Sequence, residues 1–547
     1  MLEGFSPYTK NDAERYTRLR WWLGMTWGDL FNKATDLYPD KIALVDDTGR
    51  FTYADLRENV DRLAISLFKL GFSKGDYVLV QLPNWHEYIF SFFALQKIGA
   101  VPVLLIPRHS QIEINHFAQL TGAKGWILPT VYGKIDYEPV VSNVVKQNKQ
   151  IKKVITARGE WAGKSESLKR LISEADVRRE SLKLIEDSRP EPTDVAQIMP
   201  TGGTTGMPKA APRTHNDYLC NVEYHSRAWE ITSNDTIMVV TPVSHGMAMH
   251  WGIGGALFNF AKLVLLDSTE PDRVCETIQR EKVTALPSVP AIITRVVNLE
   301  NLSSYDLSSL KKISVGGAPS TPELVRSVWT KIGCTYHNGF GSVEGTCAAT
   351  RPEDDINVIC YSVGKPICPY DTLKIVDPEG DEVPRGQEGE LVSKGPGVFT
   401  GYFKSPQDNQ NVFTREGFFR TGDQAKKDQF GNIWITGRIK DIINRGGEKI
   451  SAVDIENLLS GFPGIRASAV IGMPDKVLGE RICAYVQPVA GAKIVLEEVV
   501  AFLKGKGASV MQLPERLEII EAIPLTNIGK TDKKALREDI KKRLGME

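Results

Sequence analysis

Residues 198–215 read IMPTGGTTGMPKAAPRTH, and what this stretch holds decides how the rest of the chain is read. It packs three glycines, four threonines and one lysine behind an apolar run. Glycine lets backbone N–H groups approach a ligand with no Cβ in the way. Clustered N–H groups, hydroxyls and a lysine suit phosphate oxygens. A Walker loop needs G-x-x-x-x-G-K-[ST]. Here Gly206 is followed by Met207, Pro208 and then Lys209, with Ala210 after it, so that pattern fails. G-x-G-x-x-G fails too, and on composition alone a Gly/Thr surface turn stays open.

Outward from the loop, short apolar runs alternate with stretches of helical spacing. KIALVDD (41–47), DYVLVQLPN, VPVLLI, DTIMVVTP, LVLLD, ALPSVP and KKISVGG read as strands. TYADLRENVDRLAISLFKLG (52–71) and HEYIFSFFALQKIG read as helices. Such alternation predicts α/β layers with a largely parallel sheet. From Thr372 the pattern changes to short strands and turns: TLKIVDPEGDEV, GELVSKG and GNIWITG, a small β-rich piece. A boundary falls near GRIKDIINRGGEKI (437–450). Beyond it come a helix over 453–460, strands near 467–471 and 482–487, a helix over 496–504 and a terminal charged helix. We therefore expect a large N-terminal α/β domain with a β-rich subdomain over 1–439, and a small α+β C-terminal domain over 440–547.

The bulk properties narrow the partners. The 547 residues are 42% hydrophobic and 24% charged, and 67 Lys+Arg balance 67 Asp+Glu. Zero net charge gives no electrostatic case for nucleic acid or an anionic membrane. Seven scattered cysteines without C-x-x-C predict a reducing compartment and neither a disulfide framework nor a zinc site. The polar, charged start is no secretory signal. The longest apolar run, Ile98–Ile106, falls well short of the ~20 residues that cross a bilayer. A cytoplasmic enzyme is the expectation.

The loop then finds its context. TGGTTGMPKA resembles the phosphate loop of the acyl-adenylate-forming enzymes, which include acyl- and aryl-CoA ligases, peptide-synthetase adenylation domains and luciferase. GGAP (316–319), NGFGSVEG (338–345), GFFRTGD (417–423), GRIKD (437–441), NRGGEKI (444–450) and PLTNIGKTDKKAL (524–536) follow in the family's order. The resemblance implies a mobile C-terminal domain and an active site between the two domains. There a carboxylate attacks the α-phosphate of ATP, and a thiol then attacks the acyl-AMP.

Roles follow residue by residue from that resemblance. Thr201, Gly202, Gly203, Thr204, Thr205, Gly206 and Lys209 would cradle the β- and γ-phosphates. Glu344, with Thr201, would hold Mg²⁺. Gly317, Ala318, Pro319, Asn338, Gly339, Phe340, Gly341 and Ser342 would cradle adenine and AMP. Asp423 would accept from the ribose hydroxyls and Arg438 would contact ribose or phosphate. Lys530 would bridge carboxylate and α-phosphate, and Lys440 would be the hinge. Gly446, Gly447 and Lys449 would face the CoA channel. His245, Gly246, Met247, Trp251, Gly316, Gly339 and Gly341 would line the acid pocket, with His245 as its gate.

PRTHNDY, VGGA, GKPICPYD, INRGGEK and LGER most resemble 2,3-dihydroxybenzoate–AMP ligases. Those enzymes carry an asparagine after the gate histidine that reads the ortho hydroxyl, and here Gly246 stands there. A site built around a hydroxyl needs that partner. The expected acid is therefore compact, cyclic and unhydroxylated, aromatic or alicyclic. Free CoA is the expected acceptor, with carrier-protein phosphopantetheine as the alternative. A non-catalytic nucleotide- or acyl-binding relative is the competing class, and nothing favours luciferase-like oxygen chemistry.

Overall fold

The computed structural model describes residues 3–201, 207–446, 448–526 and 530–546, with the backbone but not the side chain of Lys449. Two large sheets carry the N-terminal part. The first runs Arg50–Thr52, Ile42–Val45, Lys262–Leu265, Thr236–Val239, Ala285–Ser288, Lys312–Val315, Thr335–Gly341, Cys347–Ala349 and Lys365–Pro366. Its inner pairs are parallel and only its outer strands turn antiparallel. The second runs Ala210–Thr214, Val195–Pro200, Val101–Leu104, Tyr77–Val80, Gly125–Pro129, Lys153–Ala157 and Glu166–Ser167. Parallel strands covered on both faces need continuous apolar runs, which is why IALV and VPVL contain almost no polar residue.

Helix His86–Lys97 is buried from Glu87 through Gln96 and packs in the one core that joins both sheets. A helix apolar all round has nowhere else to go. Helix Tyr53–Lys69 starts at a capping box made by Thr52 and Asp55, and helix His215–Ala228 at one made by Thr214 and Asp217. The expected β-rich piece is a four-stranded antiparallel sheet of Thr372–Val376, Gly389–Lys394, Phe419–Lys427 and Ile433–Arg438. The third of these was not expected as a strand. Its sequence, FRTGDQAKK, is polar because only alternate residues face the core.

From Ile443 the chain builds a five-stranded sheet. Ile465–Asp475 and Gly479–Pro488 form a long hairpin, joined by Ile443–Arg445, Glu448–Ile450 and, in parallel, Arg516–Ile519. The hairpin strands are longer than the apolar runs within them, because backbone pairing continues past the buried residues. Helices Ala452–Leu459 and Leu496–Gly505 cover one face and Lys533–Arg543 the other.

The first residues, expected only to be polar, form a strap. Lys404 N–H donates to Gly4 O at 2.9 Å, Tyr8 O–H to Val398 O and Trp22 Nε1–H to Pro396 O at 2.8 Å. All seven cysteines are reduced and buried, and Cys220 Sγ lies 3.8 Å from Cys368 Sγ. Among the described residues no helix is long and apolar enough to cross a membrane.

Candidate active site

Within the opening stretch, strands Val195–Pro200 and Ala210–Thr214 pair antiparallel at the edge of the second sheet. Thr201 N–H donates to Lys209 O at 2.8 Å and Lys209 N–H to Thr201 Oγ1 at 3.0 Å. Gly202, Gly203, Thr204, Thr205 and Gly206 lie outside the described residues. Lys209 Nζ rests 2.8 Å from Asp408 Oδ1 and over the Tyr402 ring, 4.8 Å from its centroid.

Tyr402 links this strand pair to Glu344. Its hydroxyl donates to Glu344 Oε1 at 2.6 Å, and burial beside that carboxylate pushes the phenol pKa far up. Glu344 is buried and makes no ion pair within 4.0 Å among the described residues. The turn carrying it is held from below. Arg213 donates to Val343 O and Gly397 O, each at 2.8 Å, and Phe399 N–H donates to Glu344 O at 2.8 Å. Gly345 has φ +102, and a Cβ there would stand 2.0 Å from Gly397 O, so only glycine fits. Arg213 is itself buried and paired to Asp217 at 2.6 Å, four positions on.

Asp423 and Arg438 come from paired antiparallel strands and meet at 2.7 Å, Nε to Oδ1. Burial lifts the Asp423 carboxyl to about 6 despite the guanidinium beside it. Lys530 arrives from the C-terminal part, where Thr526 N–H donates to Lys530 O at 2.7 Å. A Cβ on Gly317, whose φ is +84, would stand 3.6 Å from Lys530 Cε. Burial, then Arg438, lowers the Lys530 pKa, while Asp423 and Glu344 oppose. His245 is held down to about 4, first by burial and then by the Lys530 charge, so it is a neutral imidazole at physiological pH. Its Nδ1 accepts from Met247 N–H at 3.3 Å.

Met199 lies beside the residues expected to line an acid pocket: a Cβ on Gly246 would stand 3.8 Å from Met199 Cε. Gly316 and Gly339 were expected to let a flat ligand lie against backbone. The flat group on them is the Trp251 indole, whose Cη2 would be 3.0 and 2.7 Å from a Cβ at the two positions. Trp251 sits on a π-helical turn, Ala248–Gly254, a geometry that recurs at functional sites.

Ala318, Pro319 and Gly341 lie exposed at strand ends, Phe340 and Ser342 are half-buried, and the Asn338 side chain turns away to Ser362 O at 2.9 Å and Ser320. Lys440 is exposed in the short turn Ile439–Asp441, and its neighbour Asp441 pairs with Arg537 at 2.6 Å. Gly446 has φ +61 and donates to Leu478 O at 2.7 Å. Gly447 and the Lys449 side chain lie outside the described residues. Sequence reasoning missed Tyr402, Asp408, Met199 and Arg213. Only Arg213 carried a signal, an aspartate four residues on at a helix start.

The described geometry has counterparts among known proteins. The family model "AMP-binding enzyme" matches residues 31–403, and "AMP-binding enzyme C-terminal domain" matches 454–530. The chain is 36% identical to a 2,3-dihydroxybenzoate-AMP ligase of Bacillus subtilis, over 100% of this chain and 99% of that one. It is 34% identical to a salicylyl-CoA synthase / salicylate adenylyltransferase of a Streptomyces species, covering 98% of each. It is also 34% identical to a salicyl-AMP ligase / salicyl-S-ArCP synthetase of Mycobacterium tuberculosis, over 98% of this chain and 94% of that one.

Proposed function

The chain belongs to the AMP-binding enzyme family, and from that premise we propose that it activates a compact, unhydroxylated cyclic carboxylate as its acyl adenylate and passes the acyl group to a phosphopantetheine thiol. What carries the reading is one convergence. Glu344, Asp423 and Arg438 act electrostatically on Lys530, the Lys530 charge reaches His245, and Lys530 stands beside Gly317, although these residues come from distant parts of the chain.

In the first half-reaction a carboxylate oxygen attacks the α-phosphorus of ATP and pyrophosphate leaves. A carboxylate is a weak nucleophile and the transition state is crowded with negative charge, so cations and alignment carry the catalysis. Lys530 bridges the attacking carboxylate and the α-phosphate. Thr201 and Lys209 belong to the loop that takes the β- and γ-phosphates, and Lys209 must leave Asp408 to do so. Asp423 accepts from the ribose hydroxyls, and Arg438 keeps it ionised there. Glu344, a buried carboxylate with no ion pair among the described residues, has the hard oxygen donor that Mg²⁺ would take, together with the Thr201 hydroxyl. When bound, Mg²⁺ neutralises charge on the phosphate oxygens. Neutral His245 gates the acid pocket. In the second half-reaction the thiol attacks the acyl carbonyl and AMP leaves.

The pocket argues for the acid. Gly246 offers no hydrogen bond where the hydroxyaryl ligases read a hydroxyl, and Met199, Met247 and Trp251 close the space with apolar surface. Loss of that polar reader is the support for separating this chain from its hydroxyaryl relatives. Free CoA is the acceptor under this reading. A carrier-protein arm is the second reading, favoured by the AMP-ligase and S-ArCP synthetase names among the relatives.

The test is pyrophosphate release from ATP with benzoate, cyclohexanecarboxylate, salicylate and octanoate, followed by product mass with CoA. We expect kcat/KM for the first two to exceed the others by about tenfold or more, and an acyl-CoA product. A preference for salicylate overturns the acid. Adenylate that never reaches CoA gives the acceptor to a carrier protein. No release with any acid makes the chain a binder.

A further inference from the structure

The floor of the acid pocket is braced by residues that touch no substrate. On one side Trp251 presses against Gly316 and Gly339. On the other lies a buried aromatic wedge. The His225 ring centroid is 4.4 Å from that of Trp251 at 66°, and Trp229 is 5.1 Å away at 63°. His225 also stands edge-on to Trp229 at 4.4 Å and to His250 at 5.0 Å. His225 is 2% exposed, and neither of its ring nitrogens has a hydrogen-bond partner among the described residues. Burying polar atoms without partners is unfavourable. Since no bond uses the nitrogens, what this imidazole supplies is a flat, close-fitting edge.

The backbone beneath Trp251 cannot yield. A Cβ on Gly252 would stand 2.2 Å from Val239 Cγ2, and one on Gly254 2.6 Å from Val222 Cγ2 and 3.0 Å from Met249 O. The π-helical turn is thus packed closely against strand Thr236–Val239 and helix His215–Ala228. The indole is bounded on one side by Gly316 and Gly339 and on the other by His225, its nearest ring, and Trp229.

We propose that His225 is a specificity-determining positioning residue: it fixes the tilt of Trp251 and thereby the length of acid the pocket admits. This rests on the reading of Trp251 as the pocket floor.

The experiment measures kcat/KM by pyrophosphate release for benzoate and 4-ethylbenzoate in the full chain and in Trp251→Ala, His225→Ala, His225→Asn, His225→Phe and the Trp251→Ala/His225→Ala double variant. Trp251→Ala raises the 4-ethylbenzoate/benzoate ratio about tenfold or more. His225→Ala raises it in the same direction by roughly three- to tenfold and His225→Asn by less, with KM for ATP unchanged. His225→Phe keeps the wild-type ratio, because the ring edge is retained and no hydrogen bond is lost. The double variant gives the ratio of Trp251→Ala alone, since both act through one indole.

Should His225→Ala not fold, His225→Asn carries the same reading. If Trp251→Ala moves the ratio while His225→Ala and His225→Asn lower both acids equally, His225 is a packing residue and the inference is overturned. If His225→Phe shifts the ratio as far as His225→Ala, ring nitrogens rather than shape are in use, and it is again overturned. If Trp251→Ala leaves the ratio alone, the pocket reading itself falls, an outcome separate from both.

Discussion

Lys530 shows how far a single residue can be read. Lys533, Lys534 and Arg537 lie within seven positions of it, and composition cannot choose among them. The three residues before it, which singled it out by motif, lie outside the described set, yet its side chain is the one beside Gly317. Lys533 instead pairs with Glu456 at 2.8 Å and Arg537 with Asp441. If Lys530 bridges carboxylate and α-phosphate as proposed, replacing it by Ala removes a cation from the reacting oxygens. We expect acid-dependent ATP–pyrophosphate exchange to fall by roughly 10²–10³, while thioester formation from preformed acyl-AMP stays within about threefold. Equal loss of both half-reactions counts against the role.

At the scale of elements, the turn that presents Glu344 is held by its own paired strands and also by Arg213, on strand Ala210–Thr214, and Asn221, on helix His215–Ala228. Arg213 and Asn221 reach Gly397 O at 2.8 and 2.9 Å, and Gly397 N–H donates to Asp371 Oδ1 at 3.0 Å. Asp371 is buried, its Oδ2 has no partner, and burial lifts its pKa from 3.8 to about 7. The folded chain therefore keeps a proton that the unfolded chain has released between about pH 4 and 7. Stability contributed here is greatest below that window and declines as pH rises through it. Asp371→Asn removes this slope. Its melting temperature should fall less than wild type between pH 5 and 8, with ~3 kcal/mol as the ceiling on the difference. Parallel melts across that range check it, and identical slopes refute it. Such a hub was invisible in sequence. Apolar runs and caps disclosed the helices and most strands, because local periodicity encodes them. Motifs disclosed Asp423, Glu344 and Lys530. Tyr402, 58 positions from the carboxylate it donates to, and His225 behind Trp251 depend on tertiary contact alone.

At the scale of the whole molecule, Lys530 and Gly317 belong to parts of the chain joined through the turn Ile439–Asp441. The pose described has Lys530 beside Gly317, the arrangement that adenylation would require under the proposed role. If Lys440 is the pivot, proline there fixes φ, removes an N–H and restrains Ile439. Lys440→Pro should leave pyrophosphate exchange within about threefold and slow thioester formation by about tenfold or more, read by single-turnover assays of each step. Loss spread evenly over both steps places the pivot elsewhere. The strap has a practical corollary. Gly4 is fastened to Lys404, two residues beyond the tyrosine that steadies Glu344. An affinity tag fused ahead of Gly4 therefore pulls on the segment that reaches Glu344 through Tyr402. Kinetics from front-tagged and end-tagged preparations should be compared before either is taken as the enzyme's own.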